Sequence, residues 1–256
     1  MSAGHHHQLY LPGDSVVHRL PPQCKLLAVL AFAIVVVATP RERFWAFAVH
    51  AVLLGAVAAA ARVPAGHIVR RMVIEVPFVL FAVLIPVIGL GERVSVLGLS
   101  LSVEGLWAAW NILAKATLGV VASILLAATT EPRVILLGAQ RLRLPDLLVQ
   151  IAMFMLRYMD VILDEMRRMR VARESRGFEA RNARHIPVIA RSAGALFIRS
   201  YERGERVHLA MLSRGYTGRM PIMADMTAST AQWATALALP AGALAVLGLS
   251  LAGLGW

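Results

Sequence analysis

Ala172-Arg173-Glu174-Ser175-Arg176-Gly177-Phe178 and Ala210-Met211-Leu212-Ser213-Arg214-Gly215-Tyr216 are two copies of one pattern, A-x-x-S-R-G-[FY], a constant 38 positions apart. Arg181 and Arg219 keep the same offset. Each copy closes a helical run with an arginine and then a glycine, the residue that enters the left-handed backbone region at least cost and so ends helices. One Ser-Arg-Gly would say little, because the helix dipole favours arginine at a C-terminus and capping favours glycine. Two copies at a fixed offset predict a pair of capped helix tips, Ser175-Arg176-Gly177 and Ser213-Arg214-Gly215, each presenting an arginine to a partner. A docked arginine contributes charge-assisted hydrogen bonds of about 1.5–3 kcal/mol.

The runs leading to the tips read as long helices. From Asp146 to Arg176, Leu148, Ile151, Met155, Tyr158, Ile162, Met166 and Met169 recur every three or four residues, which is one helical face. Pro145 suits the helix start, and 31 residues at the helical rise give about 46 Å. A second run, Val188 to Arg214, follows Pro187 and carries Gly194 and Gly204 in its interior. Interior glycine costs about 1 kcal/mol relative to alanine. Close crossing with another helix is one reason to keep it, and ordinary tolerance is another. A shorter run, Pro132 to Leu144, predicts a third, interfacial helix.

Outside this segment the chain is a membrane protein by composition. Of its 256 residues 58% are hydrophobic and 16% charged, and the mean hydropathy is +0.67. A soluble domain carries about 25% charged residues. Apolar runs at 26–38, 44–61, 72–90, 106–128 and 229–254 approach the roughly 20 residues that cross a bilayer. They predict an all-α integral membrane protein with about five transmembrane helices, or one re-entrant hairpin in place of the short first span. The parts are an N-terminal segment (1–25), a four-helix region (26–128), a basic helical insert (129–222) and a final helix (223–256).

The net charge is +11, and residues 133–219 supply +9 of it, with 17 arginines against 8 acids. Arg19 and Lys25, then Arg62, Arg70 and Arg71, then the arginine-rich insert all fall on one side of the spans. The positive-inside rule makes that side, with the N-terminus, cytoplasmic. Arg41 and Arg43, with Glu42 between them, weigh the other way. A basic surface serves nucleic acid, anionic lipid or the positive-inside rule; membrane location alone accounts for it by the last, with membrane lipid as a partner and no nucleic acid required.

Several chemistries are excluded by counting. The two lysines, Lys25 and Lys115, both lie outside any G-x-x-x-x-G-K-[ST] context, so the chain has no phosphate-binding loop. It has no HExxH, paired CxxC or G-x-S-x-G either. The one cysteine, Cys24, reads as structural. His5, His6 and His7 with His18 are of a type that binds nickel, cobalt or zinc, but they precede any folded scaffold and no carboxylate or thiol cluster accompanies them, so no metal site is expected. Glu75 and Lys115 are ionisable residues within apolar runs and are functional candidates for that reason. Glu75 reads as near the cytoplasmic end of its span and Lys115 as mid-span, a mismatch that argues against their pairing and for a bond from Lys115 to backbone or to a partner.

The N-terminal S-x-x-H-R-L-x-P-x-x-K-L-L, Ser15 to Leu27, followed by four spans, a helical insert with two Arg-Gly tips and a last span, resembles the transmembrane T component of energy-coupling factor transporters, most nearly the cobalt/nickel type. The family's usual alanine before Arg-Gly is Ser175 and Ser213 here, and its Asp-Pro-Arg is Pro21-Pro22-Gln23. The resemblance implies a non-catalytic scaffold in a prokaryotic plasma membrane. It would join two cytoplasmic P-loop ATPases, which use ATP and Mg, to a separate substrate-binding membrane S component for uptake of a cobalt or nickel ion or a vitamin. Arg176 and Arg214 would enter one ATPase each, the two long helices would cross, and Leu148, Ile151, Met155, Tyr158 and Ile162 would face the S component. The chain itself would bind no cofactor. A lipid-acting membrane enzyme lacks paired carboxylates or a His-Asp cluster here. A self-contained carrier would have only Glu75, Asn111 and Lys115 to line its path.

Overall fold

The structure is a computed structural model that describes residues 9–89, 92–96, 99–178, 182, 185–218 and 227–252. Its helices are α1 (Val16–Arg19), α2 (Pro22–Ala38), α3 (Phe44–Ala60), α4 (Ala65–Arg71), α5 (Val76–Ile88), α6 (Val103–Thr129), α7 (Pro132–Arg141), α8 (Asp146–Glu174), α9 (Ile186–Leu212) and α10 (Thr230–Leu251). A 3₁₀ turn, Met72–Glu75, joins α4 to α5. Strands β1 (Arg93–Val96) and β2 (Leu99–Ser102) form an antiparallel hairpin before α6, a small addition to an otherwise all-α chain. The described residues divide into two units, 9–139 with 227–252, and 140–218.

In the first unit, three helices are long and apolar enough to span a bilayer: Ala65–Ile88, Val103–Thr129 and Thr230–Leu251. α2 and α3 are apolar but have 17 residues each, about 25 Å of helix against roughly 30 Å of hydrocarbon. The sequence places the start of the third span at residue 72. The structure extends it back to Ala65, so Arg70 and Arg71 stand on α4 and not in a connection. The core joins Phe32, Val35 and Val36 of α2 to Phe47 and Leu54 of α3, Leu118, Ala122 and Leu125 of α6, and Ala243 of α10. On α5, by contrast, Phe78, Leu80, Phe81, Val83 and Val87 are all exposed, the pattern of a helix whose solvent is lipid. α5 and α6 meet at Gly105, where an added Cβ would lie 2.7 Å from the Pro86 Cα, so only glycine permits that approach.

The N-terminal motif is a polar clasp on the end of α6. Ser15 caps α1, and its Oγ shares a 2.7 Å hydrogen bond with His18 Nδ1, while His18 Nε2 lies 3.0 Å from the Leu11 carbonyl oxygen. The Leu11 N–H donates to the Ala128 carbonyl at 2.9 Å. Lys25, only 6% exposed, donates to the Thr129 carbonyl at 2.9 Å, to Thr130 Oγ1 at 3.0 Å and to the His18 carbonyl at 3.2 Å. The last carbonyls of a helix lack internal partners and carry partial negative charge, so an ammonium there both bonds and neutralises.

In the second unit, α8 and α9 run antiparallel. At the middle of α9 Glu165 accepts from Arg199 Nη1 at 2.8 Å and from Arg203 Nη2 at 3.4 Å. Near the start of α8, Gln150, 7% exposed, accepts from the Tyr216 hydroxyl and donates from Nε2 to the Gly218 carbonyl at 3.0 Å. A Cβ added at Gly194 or Gly204 meets nothing within 4 Å, so close crossing does not explain either glycine and tolerance does. The hydrogen bond from Arg199 is the largest influence on the Glu165 carboxyl, and together with the charges of Arg199, Arg203 and Arg168 it outweighs desolvation and holds the group below the usual carboxylate range.

Two outcomes follow for stability. Lys25→Met keeps the stem but leaves the Thr129 carbonyl without its charged donor; we expect a loss of about 1–3 kcal/mol, read as a lower unfolding midpoint in detergent. Glu165, with its folded-state pKa depressed, stabilises the α8–α9 pair above the unfolded carboxylate's ordinary pKa of about 4.3. That contribution disappears as pH falls through the lowered folded value. Glu165→Gln is therefore expected to be less stable than the parent at pH 7 and to converge on it in acid, as measured by unfolding midpoints across that range.

Candidate functional site

The two tips are built by the same set of bonds. At the end of α8 the Phe178 N–H donates to the Arg173 carbonyl at 3.1 Å and the Gly177 N–H to the Glu174 carbonyl at 3.0 Å. At the end of α9 the Tyr216 N–H donates to the Met211 carbonyl at 3.1 Å and the Gly215 N–H to the Leu212 carbonyl at 3.0 Å. These are the paired bonds of a Schellman cap, with glycine at the left-handed position: φ is +72° at Gly177 and +82° at Gly215. The serines match as well, Ser175 Oγ donating to the Ala172 carbonyl at 3.1 Å and Ser213 Oγ to the Ala210 carbonyl at 3.0 Å. Each serine thus ties itself to its own last turn, a role alanine cannot perform, while both side chains stay exposed.

Arg176 and Arg214, at the C-cap position of each motif, are exposed, and neither guanidinium has a partner among the described residues. Nearby arginines contrast with them. Arg170 pairs with Glu174 at 2.8 Å, Arg167 with Asp164 at 3.4 Å, and Arg199 and Arg203 share Glu165. The tips also lie at opposite ends of the helix pair, because Tyr216 is bonded to Gln150 near the start of α8 while Arg176 follows its end. Along α8 that is roughly 35–40 Å. Arg181 and Arg219 lie outside the described residues.

The aromatic that closes each motif is held differently. Phe178 packs on the His185 ring at 5.2 Å. Tyr216 meets His208 edge-on at 6.4 Å and uses its hydroxyl on Gln150. The Gln150 anchor was not among the sequence candidates: Gln150 lies off the apolar stripe of α8, and its partner is 66 positions away.

Of the α8 stripe, Ile151, Met155, Tyr158 and Ile162 line an open groove of about 480 Å³ against α9, whose side includes Val207 and Met211. Leu148 is exposed and does not line it. Glu75, 4% exposed, accepts a hydrogen bond from Thr117, so it lies level with the middle of α6 because its helix begins at Ala65. Lys115 does not pair with it and donates to the Val37 carbonyl at 2.7 Å. Among the described residues no three metal-ligating side chains cluster; His5–His7 lie outside them.

Residues 13–223 match the family of cobalt transport proteins known as CbiQ. The energy-coupling factor transporter transmembrane protein EcfT of Acidaminococcus fermentans is 29% identical over 229 residues, 82% of each chain. That of Bacillus selenitireducens is 30% identical over 230 residues, again 82% of each. An uncharacterised protein of Methanocaldococcus jannaschii is 36% identical over 107 residues, 41% of this chain and 40% of that one. The family match takes in Lys25 and both arginine tips, and the chain belongs to the cobalt transport protein family as a transmembrane T component of the energy-coupling factor type.

Proposed function

We propose that this chain couples two cytoplasmic P-loop ATPases to a substrate-binding S component in a prokaryotic plasma membrane, and that Arg176 and Arg214 each dock into one ATPase. The observation that carries the reading is the cap built twice, with an exposed and unpaired arginine at the same position of each. A guanidinium offers five donors in a fixed fork, suited to a carboxylate in a groove of the partner. Two tips roughly 35–40 Å apart are too far apart for one groove. The spacing is comparable to the diameter of a domain of about 250 residues, so each tip would meet its own subunit.

In this reading α8 and α9 act as rigid levers. Closure of the ATPase pair on ATP would displace the tips, and helices pinned at Glu165 and Gln150 would carry that displacement along their length. The α8–α9 groove, with Ile151, Met155, Tyr158 and Ile162, is the surface proposed for the S component. ATP and Mg belong to the partner subunits, and the chain is non-catalytic. The transported substrate would be a cobalt or nickel ion or a vitamin, chosen by the S component.

Arg176→Ala or Arg214→Ala is expected to weaken ATPase binding, each lost charge-assisted contact costing about 1.5–3 kcal/mol or roughly 10- to 100-fold in affinity. The double substitution is expected to abolish uptake with the chain still in the membrane. Normal uptake by that variant would refute the docking role. The purified chain alone is expected to hydrolyse no ATP above background.

A further inference from the structure

We propose that the groove between the Ala65–Ile88 helix and α6 binds one anionic phospholipid, its phosphate at Arg70 and Arg71 and an acyl chain along Ile74, Phe78 and Val120. The groove is open, measures about 720 Å³ and lies within a single unit of the structure. Arg70 and Arg71 line it, with Ile74 and Phe78 on the same wall and Val120 and Ile124 on the facing one. Arg70 is exposed, with no partner among the described residues, and Arg71 is half-buried with its Nε directed to His67 Nε2 at 3.0 Å.

The charge is of one sign. No carboxylate lines the groove among the described residues, and the nearest one in sequence, Glu75, is buried and engaged by Thr117. The third cation, Lys115, also lines the groove and donates to the Val37 carbonyl. Arginine pairs with phosphate through short, often bidentate hydrogen bonds. The vertical order of the groove selects a lipid over a soluble anion. From Arg70 to Phe78 is about 12 Å along the helix, so a lipid with its phosphate at the arginines would lay an acyl chain along Ile74 and Phe78. Exposed Ile74 and Phe78 offer nothing to a free phosphate.

Gly119 provides a steric test separate from the electrostatic one. It lines the groove, and a Cβ built on it meets nothing within 4 Å, so Gly119→Leu fits the helix and fills the groove. The experiment is native mass spectrometry of the full chain in non-ionic detergent, titrated with phosphatidylglycerol or with phosphatidylcholine of the same acyl chains. One retained phosphatidylglycerol is expected, preferred on the order of tenfold. Arg70→Ala should remove the preference and Gly119→Leu the retention. Arg133→Ala, an exposed arginine of α7 outside the groove, should change neither. Equal retention of both lipids, unaltered retention in Arg70→Ala and Gly119→Leu, an Arg133→Ala effect as large as that of Arg70→Ala, or displacement by glycerol phosphate at the lipid's concentration would each overturn the proposal.

Discussion

An arginine at the end of a long helix has a defined position only if the backbone stops at a fixed residue, and here that stop is a glycine with positive φ. At Gly177 and Gly215 any other residue would pay the steric cost of the left-handed region, which is felt by its own Cβ. The cap returns two backbone N–H groups to the last turn, and the serine hydroxyl adds a third tie. Arg176 and Arg214 are therefore held at the ends of helices of 29 and 27 residues, with side chains that nothing else in the described protein uses. The proposed transmission of force rests on this constraint. A frayed end would absorb a displacement that a capped one passes on.

The pins between α8 and α9 fix where those ends lie. Glu165 shared by Arg199 and Arg203, and Gln150 shared by Tyr216 and the Gly218 carbonyl, join the antiparallel pair at two levels. In the other unit, Lys25 performs a comparable task at the C-terminus of α6, where three acceptors converge on one ammonium. Both devices place charge or polarity where backbone or side-chain partners would otherwise be left unsatisfied. The two copies of the tip are not equivalent in their supports, since Phe178 lacks the hydroxyl by which Tyr216 is tethered.

Much of this was legible in the sequence because it is local. The apolar runs, the three-to-four spacing on α8 and the Ser-Arg-Gly offsets are short-range patterns with direct helical meaning, and the helices form where those patterns lie. Features that depend on distant pairing were not legible. The 3₁₀ turn at Met72–Glu75 merges α4 and α5 into one span, which moves Glu75 to the level of Thr117 and places Arg70 and Arg71 on a helix. The partners of Lys25, Gln150 and Glu165 are 104, 66 and 34 positions away along the chain, and no periodicity encodes them. For Gly194 and Gly204 the sequence left close crossing and ordinary tolerance both open, and the open space beside each selects tolerance.

The measurement that tests the central claim most directly is the composition of the assembly isolated in mild detergent from native membranes, by native mass spectrometry with identification of each subunit. The account predicts one copy of this chain with two ATP-binding subunits and one small membrane protein. Recovery of the folded chain alone, or with a single ATP-binding subunit when both tips are intact, would contradict it.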